Sequence, residues 1–276
     1  MDYQILKLAV KDLNLLPFQV DSLKKLTQEL KILTTSLTNV KNIIARGGFI
    51  LDTLLGTEPN DIDLFYESSK WKTKNWQGCE CDSIKSQIIS LNLPLINSRK
   101  TDLGHILENE IHLDPVTKVL GFFSHHIDVA SMVCLDSSGS IWVNQESLNC
   151  IKNKIHEIRF EGWLQHFIYP YSDNPFYRNY KTSYCRLLIR GLRMIHSKKY
   201  LSVGSNYRNL LENSNPLFNE VLNNKQLIKG VKEAMVEKCS AMDIPDFYHA
   251  IDIANPGNIV KLKSNIKKIY THAHSS

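Results

Sequence analysis

The sequence predicts an α+β protein: a mixed sheet backed by helices, followed by a mainly helical second domain. Two observations carry this. In residues 1–150, apolar segments that alternate at period two interleave with leucines at helical spacing, punctuated by glycine and proline turns. Beyond residue 150 the strand signals fade and helical spacing dominates. The expected division is a first domain over 1–150, with helices at its N-terminus, and a helical domain over 151–276.

The chain has 276 residues, 43% of them apolar, enough for a sizeable core. It contains no run of about 18 apolar residues such as a spanning helix requires. The first residues, MDYQILKLAVKDLNLL, carry acids and lack the cationic flank and small-residue cleavage site of a signal peptide. We expect a soluble, cytoplasmic protein with no membrane partner. The six cysteines (Cys79, Cys81, Cys134, Cys150, Cys185 and Cys239) show no repeated short spacing, so free thiols are expected and zinc is not. The net charge of +5 is mild, but lysine and arginine thicken at 152–159, 178–199 and 261–268. That distribution suits a C-terminal half that faces phosphate. Nothing in the sequence points to an oligomeric state.

Taken in order, Val20 to about Val40 reads as an amphipathic helix through Leu23, Leu26, Leu30, Leu33 and Leu37, preceded by a shorter helix. Asn42–Arg46 is a short buried strand that ends at Gly47-Gly48, and Phe49–Leu55 is an apolar helix closed by Gly56. Thr57–Asn60 is a turn by composition. Asp61-Ile62-Asp63-Leu64-Phe65-Tyr66 alternates acid and apolar residues, a strand with both acids on one face. Helix is expected at Ser83–Leu91, and strands around Ile127–Cys134 and at Ser140–Val143. Further helices are expected at Glu146–Glu157, Tyr184–Ser197, Tyr207–Glu212, Phe218–Lys238 and from Ile259. The prolines of Tyr169–Tyr180 make that stretch an ordered loop.

Asp61 and Asp63 point the same way with carboxylates close enough to share a hard divalent cation, Mg²⁺ or Mn²⁺, which prefers oxygen ligands. A side-chain-free turn at Gly47-Gly48 lets backbone N–H groups approach phosphate, and the following helix adds its positive end. Either feature alone is a weak signal. Read together, residues 47–64 resemble the head motif GGxVRDxLLGxxxxDxDL of class II tRNA nucleotidyltransferases and bacterial poly(A) polymerases. Gly47, Gly48, Asp52, Leu54, Leu55, Gly56, Asp61, Asp63 and Leu64 fall in register with it.

The resemblance implies the DNA polymerase beta-like nucleotidyltransferase fold, with Asp61 and Asp63 as metal ligands and catalytic carboxylates. It implies binding of a nucleoside triphosphate such as ATP at Gly47 and Gly48. The family's arginine before the motif Asp is Leu51 here. A third acid on a neighbouring strand is common in the wider superfamily, and Asp128 in His125–Ala130 is its candidate as ligand or base. Residues 186–194 are similar to the neck helix carrying DPxRxLRAxRF, with Arg190 and Arg193 in register as nucleotide-binding arginines. The leading Asp-Pro is absent. Arg186, Arg190 and Arg193 also share one helical face, a cationic stripe able to meet phosphate.

These readings imply an enzyme that moves a nucleotide from a triphosphate to an RNA 3′ hydroxyl, as in tRNA processing. Two alternatives stand beside it: a toxin-like or modifying nucleotidyltransferase acting on protein or tRNA, and a noncatalytic RNA-binding module.

Overall fold

The computed structural model describes residues 5–38, 40–68, 79–105, 128–158 and 180–274. The chain divides into two compact units, one of residues 1–124 with 130–151 and one of 125–129 with 152–276.

The first unit is built on a six-stranded sheet in the order β1-β6-β5-β2-β3-β4. Its strands are β1 (Ile5–Ala9), β2 (Val40–Arg46), β3 (Asp61–Ser68), β4 (Lys100–His105), β5 (Val133–Asp136) and β6 (Ser140–Asn144). Only β3 and β4 pair in parallel; every other pair is antiparallel, which makes the sheet mixed. One face is mainly apolar: Ile43, Ala45, Ile62, Leu64, Tyr66, Val133, Leu135, Ile141 and Val143 are buried. Helices α1 (Pro17–Ser36) and α2 (Gly48–Leu55) lie against the sheet. Leu23, Leu26, Leu30 and Leu33 of α1 are wholly buried, each contributing about 1.5–3 kcal/mol of transfer free energy. Gln19 of α1 ties the two helices together by donating to the Thr53 carbonyl at 2.6 Å. Helices α3 (Cys79–Ser90) and α4 (Pro94–Asn97) complete this part. The buried Glu29 carboxylate accepts from the Leu95 and Ile96 N–H groups at the start of α4, both at 2.8 Å. Helix α5 (Gln145–Asn153) follows β6.

The second unit has a two-stranded parallel ribbon, β7 (Ile155–His156) with β8 (Ser202–Val203). Its helices are α6 (Tyr180–Ser197), α7 (Ser205–Glu212), α8 (Asn215–Leu222), α9 (Lys225–Cys239), α10 (Ile244–Ala254) and α11 (Ile259–His274). Leu187, Leu188, Ile189, Leu192 and Ile195 make α6 its central helix, packed on α9 and α10.

Several expectations are corrected. Ahead of α1 comes an edge strand, because Ile5–Ala9 finds a complete antiparallel partner in β6, and the short helix expected there is a single 3-10 turn at Val10–Asp12. The strand expected around Ile127–Cys134 begins only at Val133, since Val129–Ser131 turns as a 3-10 helix. The helix expected over Phe218–Lys238 breaks in two where the Asn224 side chain accepts from the Gln226 and Leu227 N–H groups and starts a new helix. The helix expected to run to Glu157 stops at Asn153, and Ile155–His156 becomes β7. Helix α10 and strand β4 were not anticipated. The former is announced by Asp243, whose side chain caps Asp246, with proline in its first turn. The loop expected at Tyr169–Tyr180 lies outside the described residues up to 179.

Candidate active site

Strand β2 delivers the chain to Gly47, where the backbone takes a φ of +65° and α2 begins one residue later. The Gly47 N–H is held by the Val133 carbonyl of β5 at 3.1 Å. Strand β3 runs antiparallel beside β2, so Asp61 and Asp63 come to rest against this turn. A Cβ on Gly48 would stand 2.9 Å from Asp61 Oδ1, and one on Gly47 would stand 3.4 Å from Asp63 Oδ2. A side chain at Gly48 would therefore collide with Asp61, one at Gly47 would be strained by the positive φ, and α2, whose first N–H groups have no acceptor within the helix, starts beside the two carboxylates.

The rest of the motif supports this geometry from below. Asp52 is buried, and its Oδ1 accepts from the Thr57 hydroxyl at 2.8 Å, which fastens the end of α2 to the turn that leads into β3. Leu51 is 1% exposed and belongs to the core. Arg99 donates to the Pro59 carbonyl and lies over the Phe49 ring, 5.7 Å from its centroid, bracing the same turn.

Three charged residues that sequence reasoning missed surround the pair. Arg46 sits opposite Asp63 in the β2–β3 register and Asp102 sits opposite it on β4, while Lys100 is opposite Asp61. Arg46 is 6% exposed, and its guanidinium carbon lies 5.2 Å from the Phe65 ring centroid. Burial brings its pKa down to about 9, against the pull of Cys134 and Asp63. The Asp63 carboxyl is raised above its ordinary value, first by burial and then by Asp61, with Arg46 opposing. Lys100 pairs with Asp102 at 3.2 Å, both side chains exposed, and that hydrogen bond raises the lysine's pKa. Arg46 could have been suspected as a charged residue closing an apolar strand. Lys100 and Asp102 lie on a strand too polar to be recognised by alternation.

Asp128 has different company. It precedes the 3-10 turn instead of lying in a strand, is buried, and belongs to the second unit. Its Oδ2 accepts from the Tyr200 hydroxyl at 3.0 Å, and its Oδ1 lies 3.4 Å from Nδ1 of the wholly buried His156. Arg190 and Arg193 both lie on α6. Arg190 is exposed, and Arg193 is half-buried, with Nη2 4.0 Å from Met194 Sδ.

Chemically, the donor set at Asp61 and Asp63 fits a hard divalent cation. The two carboxylates are crowded enough for Asp61 to raise the pKa of Asp63, and a cation between them relieves that repulsion. Among the described residues no group of three His, Cys, Asp or Glu side chains converges as a ready-made metal cage. A carboxylate pair that leaves its remaining coordination to phosphate and water is the arrangement Mg²⁺ favours.

No family model and no curated protein matches the chain. Its fold is similar to that of solved structures. A tRNA-processing enzyme in an apo form aligns with a TM-score of 0.51 at 11% identity, covering 90% of this chain and 58% of that one. A CCA-adding enzyme in complex with CTP aligns with a TM-score of 0.48 at 13% identity, covering 98% of this chain and 56% of that one. The chain thus spans a little over half the length of these proteins. No described helix is long and apolar enough to cross a membrane. The fold is α+β, a mixed six-stranded sheet backed by helices and joined in sequence to a mainly helical unit, and it is similar to that of the tRNA-processing enzyme.

Proposed function

We propose that the chain is a metal-dependent nucleotidyltransferase that moves a nucleotide from a nucleoside triphosphate to the 3′ hydroxyl of an RNA. The observation that carries this reading is the contact of Asp61 and Asp63 with a turn of two glycines at the start of a helix. Carboxylates for a cation and bare N–H groups for phosphate occupy one small volume.

Asp61 and Asp63 would hold Mg²⁺ or Mn²⁺, which when bound lowers the pKa of the attacking hydroxyl and neutralises the triphosphate. The backbone at Gly47 and Gly48 orients the phosphates, because nothing projects between them and the peptide. Arg46, opposite Asp63 in the strand register, favours the ionised form of that carboxylate against the effects of burial and of Asp61. Lys100, exposed beside Asp61, is placed to screen phosphate oxygens. Arg190 and Arg193 are proposed to meet the nucleotide, and Asp128 serves the second unit's packing in this reading rather than the chemistry.

The test is incubation with each labelled nucleoside triphosphate, Mg²⁺ or Mn²⁺ and total RNA, beside the Asp61→Asn, Asp63→Asn double variant. Label entering RNA with the native chain alone is the expected result. Label on protein would assign a modifying enzyme, and absence of both incorporation and metal-dependent nucleotide binding would reduce the chain to a noncatalytic module.

A further inference from the structure

One line of directly paired residues crosses all six strands: Lys7, Trp142, Cys134, Arg46, Asp63 and Asp102. Directly opposed residues project to the same face of a sheet. The side chains bear this out, since Lys7 Nζ stands 4.9 Å from the Trp142 ring centroid, and Trp142 and Phe65 pack against Ile44 and Cys134. The face that carries the acidic pair therefore also carries an aromatic ring three strands away. With strands about 4.8 Å apart, Trp142 lies about 14 Å from Asp63. A strand of nucleic acid stacked at about 3.4 Å per nucleotide spans that distance in a few nucleotides.

Trp142 is held rather than merely packed. Its neighbours Ile141 and Val143 are buried on the other face, whereas its own ring is only half-buried. The indole N–H donates to Asp136 Oδ2 at 2.7 Å. The other oxygen of Asp136 accepts from the N–H groups of Ser138 and Ser140 and from the Ser138 hydroxyl, so the carboxylate is fixed by the hairpin turn. Those hydrogen bonds lower its pKa against the effect of burial, which keeps it an acceptor. Beside the ring, Lys7 is exposed on the edge strand. A ring fixed by its only polar atom, with an exposed ammonium beside it, offers a base a stacking surface and its phosphate a cation.

We infer that the single-stranded 3′ end of an RNA acceptor crosses the sheet along this line, with a base on Trp142 and a phosphate at Lys7, its terminal hydroxyl reaching Asp61 and Asp63. The inference rests on the nucleotide-transfer reading of the acidic pair and adds the track that the acceptor follows. Charge order fits a polyanion: the exposed cation Lys7 stands at the approach, and the acids Asp63 and Asp102 stand at the far end.

The experiment titrates a fluorescein-labelled single-stranded RNA with the full chain, Mg²⁺ and a non-hydrolysable triphosphate, comparing the native protein with Trp142→Leu, Trp142→Phe and Lys7→Ala. Nucleotide KM is measured separately at saturating RNA. Trp142→Leu is expected to weaken RNA binding about 10-fold, with Trp142→Phe near native and nucleotide KM unchanged. Lys7→Ala is expected to lower the slope of log affinity against log salt by about one. Native-like RNA affinity in both Lys7→Ala and a folded Trp142→Leu overturns the inference. So does a rise in nucleotide KM at unchanged RNA affinity, which would give the ring to the triphosphate's base. If the native chain transfers no nucleotide but still binds RNA through Trp142, the surface stands and the reading of the acidic pair falls.

Discussion

A Cβ placed on Gly48 would lie 2.9 Å from Oδ1 of Asp61, closer than a carbon and a carboxylate oxygen tolerate. The Gly48 backbone is fixed as the first residue of α2, so the Asp61 side chain is what has to move. Gly48→Ala should therefore push the Asp61 carboxylate out of place and lower nucleotide incorporation about 100-fold, while the melting temperature falls by only a few degrees. Incorporation assays paired with thermal melts check this; equal loss of fold and activity would count against it.

Asp63 gives a pH-dependent prediction. Its folded-state pKa is raised above 3.8 by burial and by Asp61, so the folded chain holds this proton more tightly than the unfolded chain does. The resulting stability is present below 3.8 and is lost as pH rises through the folded value. At neutral pH the ionised carboxylate therefore costs stability. Metal-free Asp63→Asn should melt about 2–4 °C above the native chain at neutral pH, and the gap should close in acid. Mg²⁺ should raise the native melting temperature and leave the variant's unchanged.

Arg46 opposes the rise in the Asp63 pKa. Removing the charge with Arg46→Gln should move the acidic limb of the incorporation pH profile upward by about one unit, since a neighbouring cation favours the carboxylate by that order. The profile of rate against pH is the measurement, and an unmoved limb would show that Arg46 does not act on Asp63.

In the second unit, Glu157 accepts from the N–H groups of Ile158, Asn206 and Tyr207, the last two at the start of α7. A Cβ on Gly204 would run into the Glu157 carboxylate. Gly204→Ala should displace this cap and destabilise the chain by about 2 kcal/mol in urea unfolding, with Glu157→Gln milder.

Thiol titration offers a further check. Cys134, Cys150, Cys185 and Cys239 are all buried free thiols. Burial pushes Cys134 to about 12 and Cys239 to about 11, so neither is a thiolate near neutral pH. The native chain should leave all four unreacted with a thiol-disulfide reagent until denaturant is added.

The central part of the first unit was legible because its signals are local. Gly47 and Gly48 are close enough in sequence to Asp61 and Asp63 for a strand, a turn, a helix and a second strand to be read in one pass. The period-two spacing alone put both acids on one face. Helix α1 was equally clear from Leu23, Leu26, Leu30 and Leu33, all of which proved wholly buried. Legibility ended where a residue's role depends on a distant partner. Ile5–Ala9 has no helical or strand signal strong enough to decide until β6 lies beside it. The polar strand Lys100–His105 exists because β3 offers it a parallel edge.

What the sequence by itself determined is the pairing of two carboxylates with a glycine turn, since that arrangement is written within 17 residues, from Gly47 to Asp63, and needs only backbone geometry. What only the tertiary structure decided is the company those carboxylates keep. Arg46, Asp102 and Lys100 meet Asp61 and Asp63 through strand register, and Asp128 goes to Tyr200 and His156 through the packing of the second unit. Strand register and helix packing are set by the sum of many weak burial terms along whole elements, and no short stretch of sequence holds that sum.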